Sequence, residues 1–318
     1  MIRSSSFVLL GMLLAGGCSH NYYAERMVTP DPSSGRMYQD LIGKGEQALK
    51  ANHIDMAIDC IRPDGAAISA WVIKGTPGDT MTGERHFPTA VLLHGLGESK
   101  ANYLGVAKRL SAKGLNVVLI DLRGHGCSSD KYTTYGAKEK GDVKAVLDDV
   151  AKKGLKIGDV FVFGTTLGGC VAFQYAAIDP RCKGVMAIAP YRDATTVARR
   201  IAFVLAPTMN EADFRQTLAE GAKMADFDPA SASAVDAAAK VKCPVLVVNA
   251  LLDVTVPIDW SQAVYDAAGG PKRFIVVTPG PEQLALVMIW EDWIADRMAD
   301  LAHGKLDGYK SPATQPGK

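Results

Sequence analysis

Thr166 stands between glycines in Gly164-Thr165-Thr166-Leu167-Gly168, where an apolar run, Val160 to Gly164, meets a helical pattern, Leu167 to Ile178. A strand–G-x-S-x-G–helix junction raises its central side chain above a sheet on a sharp turn, the place for a nucleophilic hydroxyl. A threonine there is handicapped. Its hydroxyl needs a base to take the proton, and a β-branched side chain is disfavoured in the strained backbone of such a turn. Two more glycine-rich segments follow apolar runs: His94-Gly95-Leu96-Gly97, and Asp121-Leu122-Arg123-Gly124-His125-Gly126-Cys127-Ser128. Downstream, Val245 to Asp253 ends in Leu252-Asp253, with Val256-Pro257 just beyond.

The elements that must position these residues alternate along the chain. Residues 53–60 and 66–74 read as two strands joined by Arg62-Pro63-Asp64-Gly65. Apolar strands are expected at 89–94, 115–121, 160–164, 185–189, 245–249 and 273–277. Helices are expected near 99–113, 138–153, 167–178, 258–268 and 282–302. Continuous apolar strands alternating with helices indicate a parallel sheet covered on both faces. Residues 191–240 break the rhythm with helical signal only and read as a helical lid inserted after a strand.

With these motifs in this order, residues 40 to 303 resemble an α/β-hydrolase of the serine esterase, lysophospholipase and peptidase-like branch. The resemblance implies an α/β fold with a mostly parallel eight-stranded sheet, a core at 39–190 and 241–303, and the lid between. It also implies an oxyanion hole from the backbone N–H groups of Leu96 and Leu167. Two of three triad positions depart from the family. Thr166 replaces the nucleophilic serine, while Asp253 matches the acid. The loop expected to carry the histidine reads Pro279-Gly280-Pro281-Glu282-Gln283-Leu284. Gln283 falls in the histidine slot, with Glu282 the other placement, and a neutral amide does not accept a hydroxyl proton. Of the six histidines, His125 is the best substitute by position, although shaping its own turn is the plainer role. Cys170, one helical turn beyond Thr166, reads as a buried structural thiol. Trp290 and Trp293 read as packing residues, and Arg199 and Arg200 as a solvated lid face.

The ends of the chain carry an address. Arg3, the apolar stretch Phe7 to Ala15 and Gly16-Gly17-Cys18 form a signal peptide over residues 1–17 that resembles a bacterial lipoprotein box, with Cys18 the lipidated residue. Residues 18–38 then read as a tether, and 304–318 as a flexible tail. The expected location is the cell envelope, anchored to a bacterial membrane and facing the periplasm or exterior. Among 318 residues, 35 Lys and Arg balance 34 Asp and Glu, which excludes the basic excess of a nucleic-acid binder. No Cys/His spacing suggests a metal, and no cofactor is implied. Cys182 and Cys243 precede strands that are neighbours in the implied fold, where a disulfide would fasten the base of the lid. The protein is therefore expected to be a weak or inactive hydrolase that binds a small acyl- or carboxylate-bearing ligand or a protein partner in a lidded pocket. The alternative is an active ester or peptide hydrolase using Thr166 and another base.

Overall fold

The computed structural model describes residues 16–31, 40, 45–76, 87–277 and 290–306. Eight strands form one sheet: β1 (Met56–Ile61), β2 (Ala67–Ile73), β3 (Thr89–Leu93), β4 (Asn116–Ile120), β5 (Val160–Thr165), β6 (Cys182–Ile188), β7 (Val245–Ala250) and β8 (Lys272–Val277), in the order β1-β2-β4-β3-β5-β6-β7-β8. β2 is antiparallel to both β1 and β4, and the remaining pairs are parallel. The central strands β3, β4, β5 and β7 are buried at every position, as β-branched runs covered on both faces should be. Each such Val or Ile contributes about 1.5–3 kcal/mol when fully buried. β1, at the edge, alternates exposed and buried residues. This is the α/β-hydrolase fold, and all eight strands expected from the sequence form, the first starting at Met56 and the sixth at Cys182.

The helices among the described residues are α1 (Gly16–Val28), α2 (Glu46–Ala51), α3 (Leu104–Ala112), α4 (Glu139–Lys152), α5 (Leu167–Ala176), α6 (Ala194–Leu205), α7 (Glu211–Met224), α8 (Ala234–Ala238), α9 (Ile258–Ala267) and α10 (Glu291–Ala302). Residues 191–240 fold into α6, α7 and α8. Asp193 caps α6 by accepting from Thr196 N at 2.7 Å, and Asn210 caps α7 by accepting from Asp213 N at 3.0 Å. An Asp193–Ser233 bridge closes the insertion at its base.

Three expectations are corrected, and part of a fourth lies outside the described residues. The tether is helical over its first part: α1 buries Ala24, Met27 and Val28, and Met27 packs with Ala198, Ala202 and Phe214 of the lid. A Cβ on Gly221 of α7 would meet Ala24 O at 3.0 Å, so a small residue there lets the two helices approach. His53 is not on the first strand but in the turn before it, at φ +60°. Cys182 and Cys243 are both free thiols, with Cys182 Sγ directed to Gly184 O at 3.6 Å. The closing helix is seen as Glu291–Ala302, and its expected first part, 282–289, lies outside the described residues.

Candidate active site

Chain order reverses between β3 and β5, which pair with Leu93 opposite Gly164. The loops leaving these strands part at their carboxyl ends and open a crevice there, the usual place for a ligand in such sheets. Thr166 and Leu96 stand at this crevice.

Thr166 holds φ +44° and ψ −107° and joins β5 to α5. Its N–H donates to Ile188 O at 2.9 Å, so the turn is fixed to β6. The flanking glycines are required by close approach: a Cβ on Gly164 would sit 2.2 Å from Gly168 C, and one on Gly168 would sit 2.2 Å from Leu93 O. Left-handed backbone at a β-branched residue costs of order 1–3 kcal/mol. The sharp strand-to-helix turn forms with threonine at its centre. Leu167 is the first residue of α5, where amides lack intrahelical acceptors. Neither its N–H nor that of Leu96 has an acceptor among the described residues.

No imidazole reaches Thr166 among the described residues. His94 is buried with both ring nitrogens occupied: Nδ1–H donates to Gly95 O at 2.8 Å and Nε2 accepts from Leu122 N at 2.9 Å. Burial, followed by the neighbouring His125 ring, pushes its pKa down to about 3. His125 is also buried, which lowers its pKa. Its Nδ1–H donates to Arg123 O at 2.8 Å, its ring lies 4.9 Å from that of His94, and its Nε2 is unpartnered. His125 is therefore not the substitute base.

Asp253 follows β7, and its Oδ1 accepts from Thr255 N and Val256 N, both at 2.8 Å. Gln283 and Glu282 lie outside the described residues. The sequence from Thr278 to Ile289 contains no histidine. Cys170 is buried and bonded at 3.2 Å to both the N–H and the carbonyl of Tyr191, where burial raises its pKa. Arg200 turns from the lid to donate to Val254 O, while Arg199 pairs with Glu211 on the lid surface.

A cleft of about 620 Å³ joins these groups. Val197, Ile201, Val204 and Leu205 of α6, with Leu96, Val254 and Val256, make its apolar walls. Thr166, Glu98, Tyr135 and Tyr191 line it too. Tyr191 is 3% exposed, and its hydroxyl has no hydrogen-bond partner among the described residues. Sequence reasoning passed over Glu98, although it directly follows His94-Gly95-Leu96-Gly97. Its Oε2 accepts from Gly95 N and from the Tyr103 hydroxyl, each at 2.8 Å, and that hydroxyl lies 2.6 Å from Thr165 Oγ1. Burial raises the Glu98 carboxyl, an effect partly opposed by those two donors. Among the described residues no group of His, Cys, Asp and Glu has the arrangement to hold a metal ion.

Residues 85–228 match the family described as serine aminopeptidase, S33. The uncharacterised protein YqkD of Bacillus subtilis is 25% identical over 229 residues, 68% of this chain and 73% of its own. The sn-1-specific diacylglycerol lipase ABHD11 of Xenopus tropicalis is 36% identical over 105 residues, 32% of this chain and 31% of that lipase. Esterase Pf2001 of Pyrococcus furiosus superposes with a TM-score of 0.60 at 21% identity, covering 82% of this chain and 96% of that one.

Proposed function

We propose that this chain, which belongs to the α/β-hydrolase superfamily, is a weak or inactive hydrolase that binds an acyl- or carboxylate-bearing ligand in its lidded cleft. Lack of any imidazole in reach of Thr166 among the described residues carries this reading. Without a base the elbow hydroxyl stays protonated and poorly nucleophilic. The polar end of the cleft is otherwise suited to an oxygen-rich group. The Thr166 and Tyr191 hydroxyls and the Leu96 and Leu167 amides are hydrogen-bond donors, and the apolar walls suit the attached chain. An oxyanion hole alone leaves roughly 10³–10⁴-fold catalysis over water in serine proteases, which sets the scale of weak hydrolysis.

The protein is also an envelope lipoprotein in this reading, acylated at Cys18. Full-length protein extracted from membranes should show a lipid mass on its N-terminal peptide, and Cys18→Ala should move the protein to the soluble fraction. For the cleft, the full chain in detergent should bind a fluorescent fatty acid and remain unlabelled by a fluorophosphonate. Labelling that disappears in Thr166→Ala would overturn the reading in favour of an active serine-type hydrolase.

A further inference from the structure

Among the described residues Glu98 is the one carboxyl that shares the cleft lining with Thr166. A Cβ built on Gly95 would lie 2.8 Å from Thr166 Oγ1 and 3.2 Å from Glu98 Oε2. Their sum, about 6 Å, is the farthest Thr166 Oγ1 can lie from Oε2, so the carboxyl stands beside the hydroxyl at the cleft. The carboxyl is also held in place. Gly95 N–H and the Tyr103 hydroxyl both bind Oε2, and the short contact between Tyr103 and Thr165 fixes the phenol in turn. Oε1 takes no hydrogen bond among the described residues. One oxygen of the acid is clamped, and the residue lines the cleft.

We propose that Glu98 is a general base that activates a water molecule for direct attack on a carboxylic ester bound in the cleft, with Thr166 positioning the water and never becoming acylated. This rests on the acyl-binding reading of the cleft given above. The Glu98 carboxylate takes a proton from water as the water oxygen bonds to the acyl carbon. The carbonyl electron pair moves to oxygen, which is received by the Leu96 and Leu167 N–H groups. As the tetrahedral intermediate collapses, the acyl C–O bond breaks and the departing alkoxide takes the proton from Glu98. Acid and alcohol leave, and the carboxylate is restored. The burial that raises the Glu98 carboxyl brings it nearer working pH, which improves it as a base.

The test is steady-state and pre-steady-state hydrolysis of p-nitrophenyl butyrate by the full-length protein in detergent, with binding of a fluorescent fatty acid measured in parallel. Slow turnover is expected with no burst of p-nitrophenol and no acyl-protein by mass spectrometry. The rate should rise with pH through one ionisation lying above the ordinary glutamate value of 4.5. Glu98→Gln should lower the rate by roughly 10²-fold while fatty-acid binding and the melting temperature hold. Glu98→Asp should restore part of the rate, and Thr166→Ala should cost less than tenfold. No turnover, an acylated Thr166, or turnover that survives Glu98→Gln would each overturn the proposal. Fatty-acid binding is read separately: its loss in wild-type protein would instead sink the acyl-site reading.

Discussion

Two neighbourhoods share the carboxyl edge of the sheet and differ in how they hold buried charges and open donors. Around His94, Asp121 and Arg123 the buried charges are matched. Lys100 and Asp121 form an ion pair with both side chains wholly buried, and the ammonium also meets Ser69 Oγ at 3.2 Å and lies 4.6 Å from the Trp71 ring centroid. Arg123 holds Asp142, Asp64 and Asp130 at 2.8–3.0 Å; burial works against its charge, and these three carboxylates more than offset it. Around Thr166, a few residues along the same edge, the Tyr191 hydroxyl and the Leu96 and Leu167 amides have no hydrogen-bond partners among the described residues. The first neighbourhood is scaffold, and the second is built to receive something. The glycine-rich motifs after β3 and β4 serve mainly the scaffold, so they specify the sheet whatever side chain stands at the elbow. A sequence that shows them reports a fold before it reports a reaction.

The sharpest way to break this contrast is to restore chemistry to the open side. Thr166→Ser combined with Gln283→His should raise esterase kcat/KM by roughly 10³-fold or more, far beyond the product of the two single changes, because triad members act as a unit. A folded but inactive double variant would mean that the cleft has changed shape as well as chemistry. Glu282→His in place of Gln283→His checks which residue holds the slot.

On the scaffold side, Lys100→Met leaves Asp121 buried without its cation. About 3–5 kcal/mol should be lost in urea denaturation, whereas Arg199→Met on the lid surface should cost less than about 1 kcal/mol. Similar losses from the two would erase the distinction. A smaller effect follows from His94. Its pKa of about 3 in the folded chain lies below the ordinary 6.5, so the unfolded chain binds the extra proton. Stability from this site is full above pH 6.5 and falls as the pH drops toward 3. Between pH 6.5 and 4.5 the loss should be about 2 kcal/mol, read from urea midpoints, and His94→Gln should flatten that dependence. Smallest is Thr166→Gly. Relief of the left-handed backbone, less the entropy glycine gives up on folding, should gain about 1 kcal/mol or less. A loss would show that the threonine side chain packs well enough to offset its strain.

The fold was legible because its signals are long and redundant. Five-residue apolar runs such as Thr89–Leu93 and Val160–Gly164 have no alternative to a doubly covered strand. The elbow was legible from two glycines that close packing makes necessary. Helix α1 was not, since only Ala24, Met27 and Val28 of its lower half are buried, a face too narrow to stand out among Ser, His, Asn and Tyr. Glu98 escaped notice because its importance depends on Tyr103, Thr165 and Thr166, which no local pattern joins. Cys182 and Cys243 were placed together correctly by strand order, but proximity does not decide between a pair of thiols and a bridge.

The seating of α1 has a mechanical consequence. Glu25 pairs with Lys131, the Met27 carbonyl accepts from the Tyr135 hydroxyl, and the Val28 carbonyl accepts from Thr133 N at 2.9 Å, while the opposite side of the helix lies on α7. Tyr135 is one wall of the cleft, and α7 carries the helix that forms another. A pull on the amino terminus is thus borne by both jaws of the cleft before it reaches the sheet, and the load path of the molecule runs through its mouth.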